Sequence, residues 1–519
     1  MSEGETRSAD LLGTGGDVAA DFISGDVAQA AVDATAERRL LWKIDLLLMP
    51  LLTISFGLQY YDKAIFSSAT LFGILSDMDL SVTVPNTNPP VVSLARYSTA
   101  TAAFYWGYLV AAYPMAYVLQ RFPLGRTLGV MVILWGVVVM LTVVVTSYQG
   151  IVAQRFFLGV VESSVSPGFI LVSSMWYKRD EQPTRIGIWY SATGLFSIFS
   201  GVVNYGIGKG SQNASLATWK YMYIFGGSWT IAWGILLFFA LPNNPIESWF
   251  LTLDERKHAV RRLQDNMTGV ESKVFKRNQL FEALTDLKIY IFFLMGAALY
   301  VTNGGVTAFG AQIVKSFGYS SLQTILMLTP GGAVTAVSIY ITGWITGRWK
   351  NSRTLLIPIT CMPVLVGAVM IWKGNWAHRA IPLAGYYLLA AFGAPYVLLL
   401  SLSTANVAGH TKKAFSAAAI FVGYNVGNII APYTVDTTTR AQHYPGAWIA
   451  VIVCMVFTTI CSLLLRFMFI RENHRRGHLD TDVTEDTDDK GPQPPLKDAR
   501  ILAWGDLTDK ENPEFRYAY

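Results

Sequence analysis

Long apolar stretches recur along this chain, and polar residues interrupt them only briefly. Runs of about 20 residues, the helix length needed to cross the hydrocarbon of a bilayer, lie at about 44–66, 98–120, 127–147, 150–174, 186–208 and 221–241. A second set follows at about 289–311, 323–346, 354–373, 380–405, 414–436 and 446–470. Inside lipid the backbone must satisfy its own N–H and C=O groups, so segments of this length predict helices. The pattern therefore predicts an all-α polytopic membrane protein, twelve transmembrane helices in two six-helix halves, 38–241 and 289–470. Between the halves, 242–288 is charged. There Thr252-Leu-Asp-Glu255 has the form of a capping box opening the amphipathic run Arg256 to Gln264, which predicts a short surface helix. Residues 1–37 and about 479–500 are polar and poor in aromatics, a composition that predicts disorder, and the C-terminal tail is taken as 471–519.

Loop charge sets the expected orientation. With the N-terminus inside, the inner segments carry 25 Lys and Arg and the outer segments 7. Both termini and the central loop are thereby expected in the cytoplasm, in agreement with an even number of spans. The formal net charge of +5 reflects this topology and points to no nucleic-acid partner. Only Arg7 is basic among the first 37 residues, so no cleavable signal peptide is expected and the first helix acts as the targeting signal. Cys361, Cys454 and Cys461 all fall in spans and read as packing residues, and no histidines stand at metal-ligand spacing, so neither metal nor cofactor is expected. With 52% hydrophobic and 14% charged residues and a mean hydropathy of +0.37, the chain is not a soluble domain.

Against this background a few polar residues stand out. Arg155 and Glu162 share the fourth span, and Asp62 and Lys63 lie near the end of the first. An ionised side chain at mid-membrane costs roughly 2.5 to 3.5 kcal/mol on insertion scales, so those that occur usually face protein or a watery cavity. Arg155 and Glu162, seven residues apart, are two turns or about 10.5 Å apart along one helix face, too far to pair. Matching depths predict an Asp62–Arg155 contact. Asp62 and Glu162 are the candidate proton-coupling groups, and Lys63 and Arg155 the candidate anion receptors, Arg through its planar fork and Lys as a point charge. A static charge network holding helices 1 and 4 together, and snorkelling of Lys63 toward the headgroups, are the competing readings. In the second half, Asn303, Tyr424, Asn425 and Asn428 are neutral groups for reading substrate shape, or else interhelical packing residues. Gly304 and Gly305 beside Asn303 predict a broken or tightly packed helix, Gly423 and Gly427 a small-xxx-small packing face, and Pro167-Gly168 a kink in helix 4. Asn406 and His410, at the inner end of helix 10, read as capping or gating residues, and Asn213-Ala-Ser215 as a glycan acceptor in an outer loop.

Several of these residues fall in extended motifs. Arg155-Phe-Phe-Leu-Gly159-Val-Val-Glu162 with Pro167-Gly168 and Trp176-Tyr177, and Asp62-Lys63-Ala-Ile-Phe-Ser67-Ser-Ala69, resemble helices 4 and 1 of the anion:cation symporter family of the major facilitator superfamily. Leu241-Pro-Asn-Asn-Pro245, Asn303-Gly-Gly305, Phe317-Gly318-Tyr-Ser-Ser-Leu-Gln323, Asn406-Val-Ala-Gly409-His410-Thr-Lys-Lys413, Gly423-Tyr-Asn425-Val-Gly427-Asn428 and Asp506-Leu-Thr-Asp-Lys-Glu-Asn-Pro-Glu-Phe-Arg516-Tyr resemble its fungal allantoate permease branch. The resemblance implies the major facilitator fold and a plasma-membrane, proton-coupled importer of a small organic anion such as allantoate, nicotinate, pantothenate or biotin. One departure is in the loop between helices 2 and 3, Gln120-Arg121-Phe-Pro-Leu-Gly125-Arg126, which lacks the superfamily's usual Asp. An exporter of an acidic metabolite and a non-transporting nutrient sensor remain alternatives. No HExxH, no Walker A sequence and no nucleophile elbow in a suitable context supports an enzyme or an ATP-driven pump.

Overall fold

Twelve helices long and apolar enough to cross a bilayer follow one another along the chain. They are α1 (Ala36–Ala69), α2 (Ala95–Leu119), α3 (Leu124–Val144), α4 (Tyr148–Trp176), α5 (Thr184–Gly210) and α6 (Thr218–Ala240), then α7 (Leu287–Ala308), α8 (Ser321–Arg348), α9 (Arg353–Lys373), α10 (Ala380–Asn406), α11 (Thr411–Thr434) and α12 (Pro445–Gly477). The structure is a computed structural model that describes residues 34–85, 91–178, 181–267, 276–349, 351–485, 507–512 and 515–519. Most of the two regions expected to be disordered lies outside the described residues. Where they are described, helix replaces the expected tail: the first helix already runs from Ala34 and the last continues to Glu485. The early start is held by Glu37, which pairs with Lys178 at 2.7 Å and with Arg262 at 2.9 Å. Arg262 belongs to the surface helix Leu253–Met267, where Thr252 and Glu255 exchange the two bonds of a capping box, so that helix is tied to the first half.

Within the first half α3 packs on α6 and α2 on α4; within the second α7 packs on α11 and α9 on α10 and α12. The halves meet along α5–α8 and α2–α11. Both kinds of contact rest on missing side chains. A Cβ on Gly423 or Gly427 of α11 would collide with the carbonyl oxygens of Phe293 and Ala297 in α7, so these two glycines are the face that lets the backbones touch. Gly194 does the same for α5 against Gly332 and Ala336 of α8.

Hydrogen bonds between the halves concentrate at the end opposite the termini. Tyr97 donates to the Ala308 carbonyl at 2.6 Å, Ser98 to Pro432 at 2.9 Å, and Gln312 to Thr70 at 3.3 Å. Outside them, the short hairpin Val82–Val84 and Val91–Ser93 leads to Thr437, which accepts from the Leu94 N–H and donates to the Val92 carbonyl, both at 3.0 Å. That end is closed.

Two spans are interrupted. In α4 the helix stops at Glu162 and restarts at Val165, so the expected kink sits four residues before Pro167, where the missing N–H leaves the Ser163 carbonyl without its helical donor. Ser163 and Ser164 turn their hydroxyls back on the carbonyls of Val160 and Val161, at 2.7 and 2.9 Å. In α7 a π-helical turn, Gly304–Ala308, follows Asn303, and a Cβ on Gly304 would meet the Ala431 backbone. Such turns widen the backbone and are frequent at functional sites.

Replacing Gly427 by Val should force α7 and α11 apart, an overpacking cost of about 1–3 kcal/mol. The midpoint of thermal unfolding in detergent should fall relative to Gly206→Ala, whose added methyl meets nothing within 4 Å. Equal midpoints for the two variants would contradict the close approach.

Candidate functional site

Successive residues of a helix point about 100° apart, and this separates the neighbours Asp62 and Lys63. Lys63 turns toward the space between the halves, where its Nζ donates to Glu162 Oε2 at 2.8 Å and lies 5.1 Å from the centre of the Phe104 ring. Glu162 is wholly buried while Lys63 keeps 18% of its side chain exposed. Asp62 turns the other way, into the first half, toward Gly226 of α6, where a Cβ would stand 3.4 Å from Oδ1. Neither Asp62 oxygen has a hydrogen-bond partner among the described residues.

The expected Asp62–Arg155 ion pair is therefore corrected: it is not among the ion pairs of the described residues. Arg155 instead donates to the Tyr223 hydroxyl at 2.9 Å, and its guanidinium carbon lies over Phe66, 3.6 Å from the ring centre. A guanidinium is weakly hydrated and stacks well, so an aromatic face and a phenol hold it without neutralising it. Lys63 does not snorkel; its partner is Glu162.

Lys63 and Arg155 line a cavity with Asn303 and Asn428, and with Phe66, Tyr97 and Tyr105 along its walls. Its free volume of about 30 Å³ holds a water molecule or two and must widen to admit a metabolite. On the side of the second half the amides are locked together: Asn303 donates to Asn428 Oδ1 at 2.6 Å, Thr307 donates to Asn303 Oδ1 at 2.5 Å, and Asn428 donates to the Tyr424 carbonyl at 2.9 Å. Tyr424 and Asn425 do not line the cavity. Tyr424 packs edge-on to Tyr300 with ring centres 4.2 Å apart and belongs, with Tyr105 and Tyr396, to an aromatic floor on the termini side. The hydroxyls of Tyr190 and Tyr300, 3.1 Å apart, join the halves there. Asn425 donates to Phe421 of its own helix at 2.8 Å, and its buried oxygen is unpartnered among the described residues.

Of the eight residues singled out from the sequence, four surround one cavity, Glu162 holds one of those four, and Asp62, Tyr424 and Asn425 stand behind its walls. Sequence reasoning missed Tyr223, Phe66, Thr307 and the tyrosines that surround Tyr424 in the aromatic floor. Tyrosine and phenylalanine are at home in spanning helices and carry no cost that would mark them. Asn406 donates to the Leu402 and Ala518 carbonyls at 2.8 and 2.7 Å and so binds the C-terminal segment, whereas the His410 side chain lies outside the described residues.

Comparison with known proteins decides the lineage. Residues 48–432 match the profile of the Major Facilitator Superfamily. The chain belongs to that superfamily. An uncharacterized transporter of Schizosaccharomyces pombe is 33% identical over 99% of this chain and 93% of its own length. The allantoate permease of Saccharomyces cerevisiae is 29% identical, with 95% of this chain and 89% of that protein covered. Among solved structures, the proton:xylose symporter XylE bound to 6-bromo-6-deoxy-D-glucose has a TM-score of 0.62 at 13% identity, covering 82% of this chain and 95% of that one. A bacterial homolog of the human lysosomal transporter Spinster scores 0.58 at 12% identity, with 83% and 96% covered. The fold is that of a major facilitator transporter, and the protein is a multi-pass membrane transporter of small substrates.

The Tyr223 phenol holds Arg155 by a hydrogen bond, beside the contact with Phe66. Tyr223→Phe should weaken apparent substrate affinity while leaving the maximal rate within about twofold, since a hydrogen bond to a charged group contributes about 1.5–3 kcal/mol. The check is concentration-dependent uptake normalised to surface abundance; an unchanged KM would remove Tyr223 from the positioning of Arg155.

Proposed function

We propose that this transporter imports a small organic anion together with a proton, with its termini in the cytoplasm and the closed end outside, at the plasma membrane. The observation that carries the reading is the Lys63–Glu162 pair at the cavity wall, 2.8 Å apart. While Glu162 is ionised, Lys63 is occupied and Arg155 alone faces the cavity as an uncompensated cation. A proton on Glu162 removes the counter-ion and frees Lys63. The cavity then holds two cations and attracts a carboxylate, Arg155 meeting it with a planar fork and Lys63 with a point charge. Loss of the anion to the cytoplasm lets Lys63 return to Glu162 and expel the proton. Proton and anion thus compete with nothing and assist each other, which is the thermodynamic content of symport.

The amides supply selectivity. Asn303, Asn428 and Thr307 already hydrogen-bond one another, so a substrate must offer donors and acceptors that replace those bonds. A ureido, amide or ring-nitrogen group at the far end of the carboxylate fits this requirement, as in allantoate, nicotinate or pantothenate. The likeness to the yeast allantoate permease supports the same class. Inward direction rests on the orientation by loop charge, 25 basic residues against 7, and on a proton gradient directed inward. Such a gradient supplies about 1.4 kcal/mol per pH unit and about 2.3 kcal/mol per charge per 100 mV.

Two outcomes test this. Uptake of labelled allantoate, nicotinate and pantothenate into cells expressing the chain should rise at acidic outside pH for the transported member and collapse on adding a protonophore; uptake that survives the protonophore is not proton symport. Glu162→Gln imitates the protonated site and leaves Lys63 free, so exchange of labelled for unlabelled anion should persist while accumulation against a gradient fails. Parallel loss of both, with normal surface abundance, would place Glu162 in substrate contact or folding instead.

A further inference from the structure

The second half holds a buried cluster that the transport site does not use. Lys288 and Lys412, at the termini-side ends of α7 and α11, are 4% and 0% exposed, and both reach Asp509, itself fully buried. Asp509 also accepts from the Tyr517 hydroxyl at 2.8 Å and from the Ala408 N–H at 3.3 Å. Four donors fill the acceptor capacity of a carboxylate. Asp509 comes from a segment joined to the last helix through residues 486–506, yet it is as deeply placed as any core residue.

The neighbouring contacts read backbone and side chain together. Arg476 of α12 donates to the carbonyls of Asp509, Asn512 and Phe515 at 3.0, 3.1 and 2.8 Å. Asn473 exchanges two hydrogen bonds with the backbone of Tyr517, at 2.8 and 2.9 Å, and Asn406 two with Ala518, at 2.7 and 2.8 Å. The Tyr517 ring stacks on Phe469 with centres 5.2 Å apart and planes 3° from parallel. Thr508 donates to Glu282 at 2.8 Å and closes a turn with Glu511. These groups come from α7, α10, α11, α12 and the short helix Arg277–Thr285, all on one side of the molecule.

We propose that this face is a specific peptide-binding cleft whose occupant is the chain's own C-terminal segment, through residues 507–512 and 515–519, and that occupancy holds the termini-side ends of α7, α10, α11 and α12 as one block. Two asparagines that each satisfy an N–H and a C=O of the same residue fix register, one carboxylate fixes depth, and one stacked phenol fixes orientation. A loose tail needs none of these. Burial pushes the Asp509 carboxyl up, but the charges of Lys288 and Lys412 outweigh it and hold the group below its ordinary value. Its contribution to docking is therefore present above the ordinary carboxylate range and lost only as pH falls through that depressed value, so cytoplasmic pH does not release the segment. Competition by another peptide, or added negative charge at Thr508 against Glu282, would.

The test uses the full chain with a specific protease site inserted between residues 486 and 506. After cleavage and washing in detergent, mass spectrometry should find the fragment still bound to the wild-type transporter. Retention should drop at least tenfold with Asp509→Asn and with Thr508→Glu. Where either variant fails to accumulate, exchange settles the matter on cleaved wild type: a fluorescent synthetic peptide, Asp506 to Tyr519, should displace the fragment saturably, and the same peptide with Asp509→Asn should need at least tenfold more. Loss of the fragment should raise hydrogen exchange at the adjoining ends of α7, α10 and α11 and leave α1 to α6 unchanged. Loss of the fragment from wild type on cleavage alone, equal displacement by the two peptides, or exchange that does not change at those helix ends would overturn the proposal. None of these readouts requires a transported substrate, so they stand apart from the symport reading.

Discussion

Charges inside a membrane-spanning bundle must be compensated by the bundle itself, because hydrocarbon offers neither water nor counter-ions. In this protein two cations and two carboxylates share the interior of the first half, and their division of labour follows from how a helix distributes consecutive side chains. Lys63 meets Glu162 across α1 and α4, while Asp62 looks toward α6 and Arg155 is held by Tyr223 and Phe66. Among the described residues Lys63 and Glu162 form an ion pair, whereas Asp62 and Arg155 do not pair with each other. Arg155 lines the cavity, and among the described residues the Lys63–Glu162 ion pair borders it.

Close helix contacts bring the groups of the second half to the same cavity. Glycines let α7 lie against α11 and α5 against α8 at backbone contact, which brings Asn303 and Asn428 to within hydrogen-bond distance across a helix interface. The interruption of α4 at Ser163 falls directly after Glu162, so Arg155 and Glu162 share one unbroken helical stretch and the break lies beyond them. Hydrogen bonds of Tyr97, Ser98 and Thr437 close the far end, while on the termini side the halves are joined by an aromatic floor and by the Tyr340–Ser191 hydrogen bond, so the cavity has two unlike walls. Alternating access needs that asymmetry, since one barrier must yield while the other holds.

Much of this was legible in the sequence where physics makes a residue costly, and little of it where residues are at ease. Apolar length alone located the twelve spans. Their ends were misjudged where polar residues continue a helix by pairing with distant partners, as Glu37 does with Lys178 and Arg262. Lys63, Arg155, Asn303 and Asn428 stood out because charge and amide groups are rare in spanning helices, and all four line the cavity. The choice of partners was not legible. Depth along a helix can be counted from the sequence, but azimuth about its axis depends on packing, and the Asp62–Arg155 pair inferred from depth gave way to Lys63–Glu162. Tyr223 and the tyrosines packed around Tyr424 carried no signal, and the charged final segment had the composition of a tail while its partners, Lys288 and Lys412, lie more than 90 residues upstream.

The central claim is that a proton and an anion enter the same site by way of Glu162 and Lys63. The most direct measurement is calorimetric: titrating the purified transporter at one pH with its transported carboxylate in buffers of different ionisation enthalpy, which gives the number of protons taken up per anion bound. The account predicts net proton uptake approaching one above the pH at which Glu162 ionises, abolished in Glu162→Gln with anion binding retained. Binding heats that are independent of the buffer at every pH, in a protein that binds the anion, would contradict it.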